Sequence, residues 1–361
     1  MAQSDYERID AQAGGRPAAY WRALQPLRSV ASWLMLGAHP DDEWNGFLAW
    51  LALGQGVRTA YACAVRGEGG QNAVGPEQGA DLGALRSLEM ERAAAVVGTA
   101  VYWLNEGEDD PLVDFGFSKS GADTLRRWGR ERLVSGLARV IRTERPDVVS
   151  PTFLDVPGQH GHHRAVTECA WEAVARAGDP AWRDGLPPWR AAKFYLPAFS
   201  GAGASYDDRE PPPPETIRVE LGELCPALGA TWAQIGEWSR RCHASQGMGR
   251  WIEAGPRPLS LHLRSGPPDR ASPLDNLPGP LRDLANAAPG AAKAAIREAD
   301  EAITEALAAY PAPAPDALHR ALDAVTRAQD VSTETRHRLA LKRRQLARAA
   351  AHALAWISHE L

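Results

Sequence analysis

Residues 33–65 read WLMLGAHPDDEWNGFLAWLALGQGVRTAYACAV, and this stretch decides the fold. Residues 33–38 are a short apolar run that predicts a buried strand. Residues 44–53 read as a helix stopped by Gly54, and residues 57–65 as a second apolar strand. Strand, helix and strand in close succession form the unit from which parallel sheets are wound.

The alternation continues downstream. Residues 82–97 predict a helix with Gly98 just past its end, residues 100–104 a third strand, and residues 123–144 a long amphipathic helix. The inward stripe of that helix is Leu125, Trp128, Leu133, Leu137, Val140 and Ile141. Pro146 ends it, residues 147–153 form another strand, and a helix begins at about Gln159. The fold class is α/β, a mainly parallel sheet with helices on both faces.

Beyond this region the pattern loosens. The run from Pro211 to Pro214 and the many Gly and Pro residues between Gly255 and Pro289 read as loops or a linker. Residues 291–310, 315–328 and 332–361 then predict three helices, the last with an apolar face of Leu339, Leu346, Ala350, Leu354, Ile357 and Leu361. The expected organisation is a catalytic domain over 1–265 and a helical C-terminal module over 280–361.

Composition narrows the class of function. A chain of 361 residues, 44% hydrophobic and 24% charged, can bury a large core. A net charge of -5 offers no broad positive field for a phosphate backbone, so nucleic acid is excluded as the expected partner. No stretch reaches the roughly 20 apolar residues needed to span a bilayer. Asp5, Glu7, Arg8 and Asp10 stand where a secretory signal would place a basic start and an apolar run, so a cytoplasmic protein is expected. Cys63, Cys169, Cys225 and Cys242 lie far apart, with no C-x-x-C pair, and read as small core residues.

The chemistry gathers at two strand ends. After the first strand the chain reads AHPDDE, which places His39, Asp41, Asp42 and Glu43 in a loop where open parallel sheets bind ligands. Imidazole nitrogen and carboxylate oxygen together suit zinc, and Asp42 follows His39 closely enough for both to reach one ion. Two adjacent carboxylates rarely point the same way, so one can ligate while the other stays free as a general base. On their own, the same aspartates could simply cap the following helix. The strand over 147–153 runs into GQHGHHRAV, and a helix beginning near Gln159 sets His160 and His163 on one face, at the same rim of the sheet.

These residues resemble the LmbE-like or PIG-L-like zinc-dependent N-deacetylases, which carry an H-P-D-D-E motif and a distant H-x-x-H motif. The resemblance extends to RGEGGQN (66–72), RSLE (86–89), DFGFSKS (114–120) and SRRCHASQGMG (239–249), and so covers about 32–249. It implies a Rossmann-like doubly wound sheet, zinc held by His39, Asp42 and His163, Asp41 as general base, and His160 supporting the oxyanion or protonating the leaving amine. Where many members have an aspartate between the two histidines of the second motif, this chain has His162. Family substrates are N-acetylglucosamine-containing lipids, thiol precursors or aminoglycoside intermediates. The implied partner is therefore a small N-acetylated sugar or glycoside.

The loop RGEGGQN matches neither phosphate-binding glycine pattern. Glu68, Gln71 and Asn72 are instead candidate sugar-binding groups, and Arg86 is a candidate substrate contact by resemblance or, on spacing alone, a surface partner of Glu89. His243, Ser245 and Gln246 are expected in a helix and outside the catalytic set. The expected reaction is removal of an acetyl group by a water that zinc activates, with Asp41 taking its proton. A metal-dependent phosphoesterase and a non-catalytic carbohydrate-binding protein are the rival readings. Metal content and acetate release separate the three.

Overall fold

The computed structural model describes residues 15–107, 109–199 and 210–358. The acidic N-terminal stretch and Leu361 lie outside them. In chain order the elements that place the site are α1 (Gly15–Leu24), β1 (Ser32–Gly37), α2 (Asn45–Ala49), β2 (Arg58–Cys63), α3 (Gly79–Val97) and β3 (Ala100–Trp103). Then come α4 (Gly121–Trp128), α5 (Arg130–Glu144), β4 (Val148–Pro151), α6 (Gly161–Ala177), β5 (Lys193–Pro197), β6 (Ile217–Glu220), β7 (Leu224–Cys225), β8 (Ala230–Thr231), α7 (Trp232–Arg240) and β9 (Pro258–Ser265). The tail is α8 (Gly290–Ala309), α9 (Pro315–Arg327) and α10 (Thr333–Ile357).

Among the described residues, seven strands form one sheet in the order β3-β2-β1-β4-β5-β9-β6. The first five are parallel, and β9 and β6 extend the sheet antiparallel. Side chains of β1 alternate between two cores. Trp33 and Met35 pack with α2, α3 and α7, while Leu34 and Leu36 pack with α5 and α6. A strand covered by helices on both faces must be apolar throughout, which is why β1 reads as an unbroken hydrophobic run. From β1 the chain winds outward to β2 and β3, then crosses back to β4 and β5. The order therefore reverses between β1 and β4, and the loops leaving these two strands lie at the switch point where open sheets of this kind bind ligands.

Three expectations need correction. The single helix over 123–144 is two, because Gly129 takes a positive φ of 78° and the Trp128 indole donates to the Val113 carbonyl 2.8 Å away. The predicted helix over 44–53 is α2 followed by a π turn, Trp50–Gly54. The stretch read as loop between Gly255 and Pro289 contains β9, whose Leu259, Leu261 and Leu263 alternate inward. The helix at 82–97 is borne out, with Gly98 at φ 78° closing it.

The three predicted tail helices are present. They share one apolar core with α1, through Tyr20, Ala23 and Leu24. Leu339, Leu346 and Ala350 of the expected face are buried, whereas Leu354 is 48% exposed. We keep the division into 1–265 and 280–361 as a proposal about folding units. The bundle docks on the sheet at the strand starts, the opposite end from the loops after β1 and β4. Arg338 of α10 makes a two-pronged ion pair with Asp147, at 2.9 and 2.6 Å, and donates to the Val30 carbonyl at 2.8 Å. Asp147 in turn accepts from the backbone N–H of Ser32, the first residue of β1, at 2.9 Å. No described helix is long and apolar enough to cross a membrane. All four cysteines are free, and Cys63, Cys169 and Cys225 are buried.

Candidate metal centre

The loop after β1 is built around Asp42. Its Oδ2 accepts from the backbone N–H groups of Ala38 at 3.0 Å and His39 at 2.8 Å, folding the loop back on its strand. Asp41 then takes a positive φ of 99°, unusual for a residue other than glycine. Such a conformation costs about 1–3 kcal/mol and persists only where its surroundings impose it. Glu43 imposes it: one carboxylate oxygen accepts from the Asp41 N–H at 3.0 Å, and the other meets Asn45 Nδ2 at 2.8 Å and His243 Nε2 at 2.7 Å. The two aspartates consequently face different ways, as adjacent carboxylates were expected to.

The second loop ends at α6, which starts at Gly161 and not at Gln159. His160 is its cap, with Nδ1 accepting from the His162 N–H at 3.2 Å. Gly161 passes so close to the neighbouring loop that a Cβ there would stand 2.6 Å from the Ser120 carbonyl oxygen. That contact fixes where the first turn of α6 points its histidines.

The two loops meet as expected. His39 Nδ1 lies 3.1 Å from His163 Nε2, His163 Nε2 lies 3.1 Å from Asp42 Oδ1, and His39 Nδ1 lies 3.4 Å from Asp42 Oδ2. Two ligands of a tetrahedral ion with bonds of 2.0–2.1 Å stand about 3.3 Å apart, a spacing near that of the two imidazole nitrogens; Asp42 meets His163 with Oδ1 and His39 with Oδ2, and Oδ1 is the oxygen not taken by the two backbone N–H groups of its own loop. Two groups among the described residues bring one ligand atom each within 4.8 Å of one another: His39 with His160 and His163, and His39 with Asp114 and His162. Because the His160 Nδ1 accepts a backbone N–H, its proton is on Nε2, and a protonated nitrogen does not ligate. His39, Asp42 and His163 are each 8% exposed and His160 9%, so all four are buried.

Charges tune the cluster. Burial opposes ionisation of Asp42, but the imidazoles of His163 and His39 hold its carboxyl well below the ordinary value. Burial pushes the Asp41 carboxyl up to about 7, against the pull of Arg86 and with the repulsion of Asp42. Burial, followed by the neighbouring imidazoles His39 and His163, pushes His160 down to about 3.

The remaining sequence candidates are placed unevenly. Arg86 is 4% exposed and spends its guanidinium on the protein: Nη2 donates to the Pro40 carbonyl at 2.8 Å and stands 3.3 Å from Asp41 Oδ2, and Nη1 donates to the Gly67 carbonyl at 3.2 Å. It clamps two loops and is not the surface partner of Glu89. Glu89 instead accepts from Ser245, by backbone N–H at 2.7 Å and hydroxyl at 2.6 Å. Asn72 turns inward on its own loop, accepting from the Val74 and Gly75 N–H groups at 3.0 Å. Glu68 reaches the Asp114 N–H at 3.3 Å, and Gln71 is exposed.

Sequence reasoning gave no task to Glu43, Asp114 or His162, and it kept His243 outside the site. His243 and Ser245 follow the end of α7 and do not lie in a helix of their own; Ser245 is in a short 3-10 turn, Ala244–Gln246. Both are fully buried. The signal present was the shared motif around His243; its partner, 200 residues away, left none.

A doubly wound sheet with a histidine and carboxylate cluster at its switch point defines the class, an α/β protein with a candidate metal centre. Residues 34–174 match the family described as PIG-L: GlcNAc-PI de-N-acetylase. It is 30% identical over 177 residues to a 1D-myo-inositol 2-acetamido-2-deoxy-alpha-D-glucopyranoside deacetylase of Geodermatophilus obscurus, covering 45% of this chain and 59% of that protein. A protein of the same description from Streptomyces scabiei is 29% identical over 197 residues, 50% of this chain and 59% of its own. The chain thus spans about three fifths of the curated relatives it matches. An N,N'-diacetylchitobiose deacetylase structure from Pyrococcus horikoshii superposes with a TM-score of 0.42 at 24% identity, covering 60% of this chain and 70% of that one.

Proposed function

We propose that the protein is a zinc-dependent N-deacetylase of N-acetylated amino sugars or small glycosides, acting in the cytoplasm. The observation that carries the reading is the convergence of His39 Nδ1, His163 Nε2 and the Asp42 carboxylate, 3.1 to 3.4 Å from one another, beside a buried carboxylate, Asp41, held at positive φ. The family match over the same loops supports it. Two imidazoles and a carboxylate form a donor set that zinc accepts. When bound, zinc supplies Lewis acidity, polarising a carbonyl oxygen and bringing the pKa of a water to about 7.

Asp41 is the base. A carboxyl raised to about 7 can take a proton from the attacking water and later release it to the leaving amine nitrogen. Arg86 fixes the carboxylate by contact with Oδ2, and Glu43 fixes its backbone. His160 keeps a neutral ring with its proton on Nε2, so it donates a hydrogen bond to the oxygen that gains charge and leaves proton delivery to Asp41. The exposed loop around Gln71 is the side from which a sugar would be held.

Metal content tests the ligand set. The purified chain is expected to hold about one zinc, as catalytic zinc sites do, and His39→Ala or His163→Ala to lose most of it. Full zinc in both variants would show that other residues bind the ion.

A further inference from the structure

His162 is the member of the cluster without a task in the chemistry above. Its ring is completely buried between Phe115 and Trp128, with centroids at 4.4 and 4.6 Å. Its Nδ1 lies 2.8 Å from His39 Nε2, and its Nε2 is buried with no hydrogen-bond partner among the described residues. Asp114 stands behind the pair, 3.9 Å from His39 Nε2 and 3.7 Å from His162 Nδ1, too far to bond either nitrogen.

Two neutral imidazole nitrogens 2.8 Å apart share one proton, so one ring donates and the other accepts. The far side of His39 settles which. Its Nδ1 faces His163 Nε2 and Asp42 Oδ2, where the proposed ion would be held. A neutral ring that offers its Nδ1 lone pair there carries its proton on Nε2. His39 Nε2–H must then donate, and His162 Nδ1 must accept. The spacing also argues against a second ion between the rings, because 2.8 Å is a hydrogen-bond length and two ligands of one ion stand about 3.3 Å apart.

We propose that His162 is a positioning residue, which by accepting from His39 Nε2–H fixes the tautomer and orientation that present His39 Nδ1 as a metal ligand. The proposal rests on the metal reading of the preceding section. It gives this chain a neutral acceptor behind a ligand histidine, where carboxylates and carbonyls are the usual partners. The cost is the unpartnered His162 Nε2–H, which the aromatic walls keep from water.

The test compares zinc affinity, by competition with a chelator, in the wild type, His162→Leu and His162→Asn. Leucine fills the aromatic box but accepts nothing, whereas the asparagine amide oxygen can stand near the place of Nδ1. Neither change touches the backbone N–H that His162 gives to His160. Leucine is expected to weaken zinc binding about 10- to 100-fold and asparagine to restore it to within about threefold of wild type. A leucine variant that binds like wild type overturns the proposal, as does an asparagine variant no better than leucine.

Nitrogen-15 NMR of the histidines in zinc-loaded wild type reads the same point without any variant. It should show His162 protonated on Nε2 and His39 on Nε2, and His162 protonated on Nδ1 would overturn the proposal even if neither variant folds. A wild type that binds no zinc overturns the metal reading and this proposal together. Zinc bound by wild type and lost in His163→Ala, with the leucine variant unaffected, overturns this proposal alone.

Discussion

Asp41→Asn is expected to keep its zinc and lose turnover by about 10²- to 10⁴-fold, the usual worth of a general base. Asparagine is the right replacement for two reasons. After glycine, asparagine and aspartate are among the residues that best tolerate positive φ, so the 99° backbone at this position is expected to survive. Its amide oxygen can also stay against Arg86, which stands 3.3 Å from the carboxylate. What it cannot do is accept the proton of water. Asp42→Asn should fail differently, because Asp42 holds both the loop and two histidines. There zinc content should fall along with turnover. The measurement is zinc content and acetate release for both variants. If Asp41→Asn works at nearly the normal rate, the base is another group; if it loses its zinc, Asp41 belongs to the metal site.

Arg338→Ala is expected to destabilise the protein by about 3–5 kcal/mol, the cost of leaving one partner of a buried ion pair alone. The stranded group is Asp147, whose side chain is 6% exposed against 5% for Arg338. The double variant Arg338→Met with Asp147→Asn should recover part of the loss. It leaves no lone charge and keeps an acceptor for the Ser32 N–H. Urea unfolding of the three proteins reads this directly. Zinc content should stay the same in each. The ion pair sits at the start of β1 and the candidate centre lies past its end; six residues of strand span roughly 20 Å. Loss of zinc in folded Arg338→Ala would show that the tail reaches the site through the sheet.

What the sequence made legible was local. The apolar run of β1, the helix closed by Gly98 and the two histidine-bearing loops are each written within a few consecutive residues, and each is where the spacing put it. Interactions that join distant segments were not legible. Glu43 and His243 pair across 200 residues, and neither position carries a mark of the other. Arg86 faces inward because α3 packs its side against the loop at Pro40, which helical spacing could not tell from a surface position. β9 was hidden by its Gly- and Pro-rich flanks, although Leu259, Leu261 and Leu263 alternate as a strand should. The break at Gly129 escaped because the apolar stripe runs on through both α4 and α5.

The most direct test of the account is acetate release from a small N-acetylglucosaminide, measured on the purified chain as isolated, after removal of metal, and after zinc is restored. The account predicts release of one acetate for each free amine, its loss on metal removal, and its return at about one zinc per chain, the usual content of such a site. Acetate release that continues unchanged in metal-free protein would contradict it.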